Sequence, residues 1–165
     1  MTVHGVRPPI RQGVTSVHRE RAFGVELCRR HAEALALVAS VILANNDAAD
    51  EVVSDTIAAA CRFVDRPDPR EVTHAQLARS VYHRCVGRLA SRERFLWAWP
   101  ERDADDCPSF GMSALTTLPI SHRAAVALVL FGDHDLAQTA TTLSLPLTVV
   151  TGHLRDALVK IHAQL

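Results

Sequence analysis

The residues of this chain that can carry chemistry are its nine histidines and four cysteines, and neither set is arranged for catalysis. Cys28 and His31 stand three apart on a helical stretch, where they can supply two metal ligands. No further ligand follows at zinc-site spacing, and Cys28, Cys61, Cys85 and Cys107 form no CxxC pair. No Ser/His/Asp or Cys/His grouping suits a nucleophile either. The expectation is no metal site, no cofactor, no small-molecule substrate and no enzymatic activity. The charged residues are better organised. Residues 47 to 55 hold Asp47, Asp50, Glu51 and Asp55 with no base. Residues 70 to 94 hold Arg70, Arg79, Arg84, Arg88, Arg92 and Arg94 against only Glu71 and Glu93. The formal net charge of zero therefore conceals opposite charges on neighbouring segments.

Each charged segment has two physical readings. The acidic cluster is complementary to a basic protein surface, and acidic residues also stabilise the start of any helix. Arg84, Arg88 and Arg92, spaced four apart with Arg79 across the helix, suit a phosphate backbone. They also suit the apolar flank of their own helix, which long basic side chains cover. Tyr82 adds a ring on which an unstacked base can lie.

The elements that position these residues are helices. A hydrophobic content of 48% with 5% aromatic residues and little glycine fits an all-α protein. Leu27, Ala34, Leu35, Val38, Val41 and Ile42 mark a first helix over about Val17 to Ala44. Asn45-Asn46-Asp47 breaks it, with Asp47 expected to cap a second helix over about Ala48 to Phe63. Pro67 and Pro69 enforce a loop. A third helix over about Thr73 to Phe95 carries Leu77, Val81, Cys85 and Leu89 inward. The acidic, polar stretch 100–111 reads as a linker. The expected organisation is a flexible tail (1–16), a helical domain (17–99), the acidic linker (100–111) and a second small helical domain (112–165).

No run approaches the ~18 to 20 apolar residues needed to span a bilayer, and residues 1 to 16 contain no apolar core of a secretory signal. Three of the cysteines sit in apolar helical patterns, where a thiol acts as a small hydrophobe. A reducing cytoplasm is the natural compartment.

The second domain carries the clearest pattern. Pro119 precedes a helix bearing Ala125, Val126, Leu128, Val129 and Leu130, ended by Gly132-Asp133. A short helix over about Asp135 to Leu143, a turn and a final helix over about Leu147 to Gln164 complete a helix-turn-helix. Ala140 is small where two helices cross, Leu143 and Leu145 bracket the turn, and Val150 and Leu154 begin the last apolar stripe. A domain of this size has no room for an enzyme cleft, but it can place a helix in a major groove.

Two stretches carry a family resemblance. One is Glu26-Leu27-Cys28-Arg29-Arg30-His31 followed by Ala48-Ala49-Asp50-Glu51-Val52-Val53-Ser54-Asp55-Thr56; the other runs from Leu118-Pro119 to Leu158. In residues, order, spacing and linker the chain resembles the two-domain, extracytoplasmic-function sigma factors of bacterial RNA polymerase. The resemblance implies that Asp50, Glu51, Ser54 and Asp55 dock on core RNA polymerase. It implies that Arg79, Tyr82, Arg84, Arg88 and Arg92 melt and hold the minus-ten element of promoter DNA. It implies that Thr148, Thr151, His153 and Arg155 face the minus-thirty-five element, and that an anti-sigma factor is a partner.

The chain also departs from the family. Thr151, Gly152 and His153 stand where basic residues and serine are usual, Asp156 where another base is common, and Ser144 where the turn usually has glycine. The expected tryptophan near the start of the third helix is replaced by Thr73 or a neighbour, with Trp97 and Trp99 further on. From Gly111 onward, Arg123, Arg155 and Lys160 only balance Asp133, Asp135 and Asp156. Beside a working sigma factor, two alternatives stay open: a diverged adaptor with weak promoter recognition, and a stand-alone helix-turn-helix regulator.

Overall fold

The computed structural model describes residues 12–62, 68–94 and 112–163. Among them the chain forms α1 (Gln12–Leu43), α2 (Asn46–Arg62), α3 (His74–Arg94), α4 (Met112–Thr116), α5 (Ile120–Leu130), α6 (Leu136–Leu143) and α7 (Leu147–His162). The all-helical class and the helix-turn-helix stand as expected. Helix α1 already begins at Gln12, inside the stretch expected to be a tail. The linker 100–111, Trp97, Trp99 and Cys107 lie outside the described residues.

Helix α1 organises the molecule because its apolar residues recur every three or four positions. Phe23, Leu27, Leu35, Val38 and Ile42 are all buried. Near its end Val38, Ala39, Val41, Ile42 and Leu43 are buried together, since α2, α3 and α5 pack around that half. The helix stops where Ala44 turns left-handed at φ 52. The Asn45 side-chain oxygen then accepts the Ala48 N–H at 2.7 Å. Asn45, not Asp47, is therefore the cap of α2, and α2 starts two residues before the expected Ala48, because the carboxamide one step outside the helix reaches the third amide.

Helix α3 opens on a reciprocal cap: Gln76 N–H donates to Thr73 Oγ1, and Thr73 N–H to the Gln76 side-chain oxygen. Leu77, Ala78, Val81 and Cys85 face the core.

Helix α5 differs in kind from the others. Six consecutive residues, Arg123 to Leu128, are buried, because α1 covers one side of the helix while α6 and α7 cover the other. One continuous apolar core thus includes Leu27 and Val38 of α1 with Val126 and Leu128 of α5.

Candidate polymerase and nucleic-acid interfaces

The acidic face of α2 follows from helical geometry. Ala49, Val52, Val53, Thr56 and Ile57 are buried, so Asp50, Glu51, Ser54 and Asp55, which alternate with them around the helix, are all exposed. Four predicted polymerase-facing residues therefore share one solvent-facing surface. Arg79, Arg84 and Arg88 are exposed on α3, and the side chain of Arg92 lies outside the described residues. Tyr82 is half-buried, its hydroxyl pushed up in pKa by burial, with the His83 ring tilted against it at 5.2 Å between centroids.

The structure joins these two surfaces in a way the sequence did not announce. The Arg88 guanidinium pairs with the Glu51 carboxylate and also donates to the Ala48 carbonyl at 3.3 Å. One predicted DNA contact and one predicted polymerase contact thus occupy each other. Both ends stay open to water, the side chains being 42% and 64% exposed, so the pair is screened and replaceable.

The helix-turn-helix is built by local chemistry. Asp135 caps α6 by accepting the Gln138 N–H at 2.7 Å, while the Gln138 side chain accepts the Asp135 N–H at 2.9 Å. The turn passes through Ser144, left-handed at φ 55 and ψ 40. Thr139, Thr142, Val150 and Ala157 form the inner seam. Thr148, Thr151 and Arg155 are exposed near the start of α7, and the Thr151 hydroxyl is turned back onto the Thr148 carbonyl at 2.9 Å.

His153 is placed differently from its three companions. Its ring stacks on His122 of α5 at 4.1 Å between centroids, and its Nδ1 is buried without a partner. Its pKa is lowered, first by burial and then by His122, against the opposing pull of Asp156. The sequence held the signal: 153 is three after Val150 and four before Ala157, both on the inner seam. Arg123 is likewise withdrawn, only 8% exposed with Nε unpartnered, and burial lowers its pKa. The described outer surface of this domain therefore has Arg155 and Lys160 facing Asp133, Asp135 and Asp156, all exposed.

One further cluster went unread in the sequence. His74 of α3 donates from Nε2 to the Phe131 carbonyl at the end of α5, 2.7 Å away. Its Nδ1 lies 3.2 Å from Nδ1 of His31 on α1. Since His74 uses its proton on the carbonyl, a neutral His74 accepts from His31, leaving His31 Nε2 bare, buried and unpartnered. This relay ties α1, α3 and the end of α5 together. His31 falls on the Leu27–Leu35 stripe, which is where it was legible. The two residues at ligand-like spacing are thus divided: His31 turns to His74, and Cys28 stays exposed. Among the described residues, no three His, Cys, Asp or Glu side chains are grouped to hold a metal ion.

No family model matches the chain, and no curated protein matches it. Solved structures do. The chain is similar to the sigma factor RpoE of Bartonella quintana, seen in complex with the anti-sigma factor NepR, with a TM-score of 0.64 at 17% identity over 80% of this chain and 89% of that one. It is similar to CnrH, seen in complex with the cytosolic domain of CnrY, with a TM-score of 0.58 at 25% identity over 91% and 94% of the two chains. In fold, the chain is similar to both of these proteins, in keeping with its resemblance to sigma factors of the extracytoplasmic-function type. Among the described residues no helix is long and apolar enough to cross a membrane.

Proposed function

We propose that this protein is a cytoplasmic transcription-initiation factor that binds core RNA polymerase through the outer face of α2 and brings it to promoter DNA. The observation that carries this reading is the likeness in fold to RpoE and CnrH across 80% and 91% of the chain. The exposed acidic surface on α2 supports it, since such a face attracts and orients on a basic partner. Exposed Arg79 and Arg84 supply phosphate contacts, with Tyr82 beside them as the ring for a base. Thr148, Thr151 and Arg155 lead α7 into a major groove. Bond-making stays with the polymerase, and the chain itself acts by binding. An acidic or apolar anti-sigma partner fits the same role: Leu158 and Val159 of α7 are 65% and 62% exposed.

A specific observation favours the second reading, an adaptor that retains polymerase but reads promoters weakly. With Arg123 buried and His153 turned inward, the helix-turn-helix offers few cations to phosphates, so counterion release on DNA is small. A stand-alone regulator, the third reading, makes no use of the acidic face.

The deciding experiment is a pull-down against core polymerase lacking any sigma, followed by run-off transcription. Binding with specific transcripts supports the first reading, and binding without them supports the adaptor. Loss of both leaves the stand-alone regulator. Asp50→Lys with Asp55→Lys is expected to abolish polymerase capture while circular dichroism stays unchanged; intact capture would remove this face from the proposal. Glu51 is best left alone in that test because of its bond to Arg88.

A further inference from the structure

The three described cysteines are free thiols, and the α1–α2 packing sets Cys61 against the α1 turn that precedes Cys28. Cys61 stands in the last turn of α2 with its Sγ aimed at Gly24 of α1. A Cβ on Gly24 would lie 3.1 Å from that sulfur. The absent side chain is what lets the Cys61 thiol reach the α1 backbone. Cys28 stands one turn further along α1. Residues four apart share a helix face and helical side chains lean toward the preceding turn, so Cys28 lies on the same face of α1 that the Cys61 sulfur packs against at Gly24. Burial raises the pKa of Cys61, with smaller contributions in the same direction from Cys28 and then Glu20. Cys28 is exposed and Cys61 half-buried, an arrangement with one thiol open to an oxidant and the other waiting behind it.

We propose that Cys28 and Cys61 form a reversible intramolecular disulfide on exposure to a peroxide, making the α1–α2 hairpin a redox-modified site. The Cys28 thiolate attacks the peroxide O–O bond; a sulfur–oxygen bond forms, and hydroxide leaves. The Cys61 thiolate then attacks the sulfur of that sulfenic acid, forming the S–S bond and expelling a second hydroxide. The two hydroxides take up the two thiol protons as water. Two thiols have then lost two electrons, and the peroxide has gained them. A dithiol reductant reverses the bond by exchange. Cys85 takes no part: it is buried in the core, and burial pushes its thiol up to about 12. The bridge would fasten the far end of α2 to α1 without touching the outward positions Asp50, Glu51, Ser54 and Asp55. It stands independently of the reading as an initiation factor.

The test is hydrogen peroxide on the purified full-length protein, read by peptide mass spectrometry and non-reducing electrophoresis with and without dithiothreitol. A Cys28–Cys61 peptide from the monomer is expected, absent in Cys28→Ser and in Cys61→Ser and retained in Cys85→Ser and Cys107→Ser. Circular dichroism of each variant confirms that it is folded. The oxidised protein is expected to melt at a higher temperature than the reduced one, the difference vanishing in both single variants of the pair. A bridge through Cys107, a disulfide-linked dimer, or oxidation of Cys28 to sulfinic acid with no bridge would each overturn the proposal.

Discussion

At the scale of single residues, the most informative contact is the one between Glu51 and Arg88. It is exposed at both ends, so its own worth is small, on the order of 0 to 1 kcal/mol. Arg88→Ala is expected to shift the unfolding midpoint only slightly, with the difference fading as salt is added. A loss well above 1 kcal/mol, insensitive to salt, would show the pair to be structural. His31 makes a sharper case. Burial first, then His74 and Arg30, lower its pKa from the usual 6.5. The folded state therefore holds fewer protons than the unfolded one, so this group's stabilisation is complete above 6.5 and is lost as pH falls through and below that value. Chemical denaturation is expected to show stability declining as the pH falls below about 7. His31→Leu is expected to lessen that decline, with His153 supplying the remainder, whereas an unchanged slope would place the proton uptake elsewhere.

Among the described residues three non-glycine positions between helices are left-handed, Ala44, Asp133 and Ser144, and α7 has one open glycine position. Ala44→Gly and Ser144→Gly are each expected to stabilise the fold by about 0.5 to 1 kcal/mol, measured by denaturant titration. In α7, a Cβ on Gly152 would meet nothing within 4 Å, so Gly152→Ala is expected to add about 1 kcal/mol. At Gly132 the same change puts a carbon 2.7 Å from the Leu128 carbonyl oxygen, and destabilisation is expected. The helices were legible from the sequence because apolar residues three and four apart can share only one face. The turn at Ser144 was legible because a tight turn between α6 and α7 needs a positive φ whichever residue occupies it. Partners across helices were not legible. Nothing in the spacing of Glu51 and Arg88, or of His31 and His74, says which of two neighbouring helices rotates to meet the other. His153 is the instructive middle case, since its position relative to Val150 and Ala157 indicated the inner seam while its resemblance to a base-reading position suggested the outer one.

For the whole molecule, composition separates two domains at the acidic linker, and the packing of α5 against α1 reunites them. Ala124 to Leu128 would lose cover on one side if the halves parted, and the His74 bond to the Phe131 carbonyl would be broken with them. A single calorimetric transition is expected, with enthalpy equal to the van 't Hoff value; two separate transitions would show that the shared core does not couple the halves. The same packing bears on what the peptide connection itself contributes. A protease site engineered between Arg94 and Met112 would cut the chain without removing any described contact. The two fragments should then elute together and part only on dilution, since the connection supplies local concentration while α5 supplies the adhesion. In that sense the protein is a heterodimer that happens to be translated as one chain.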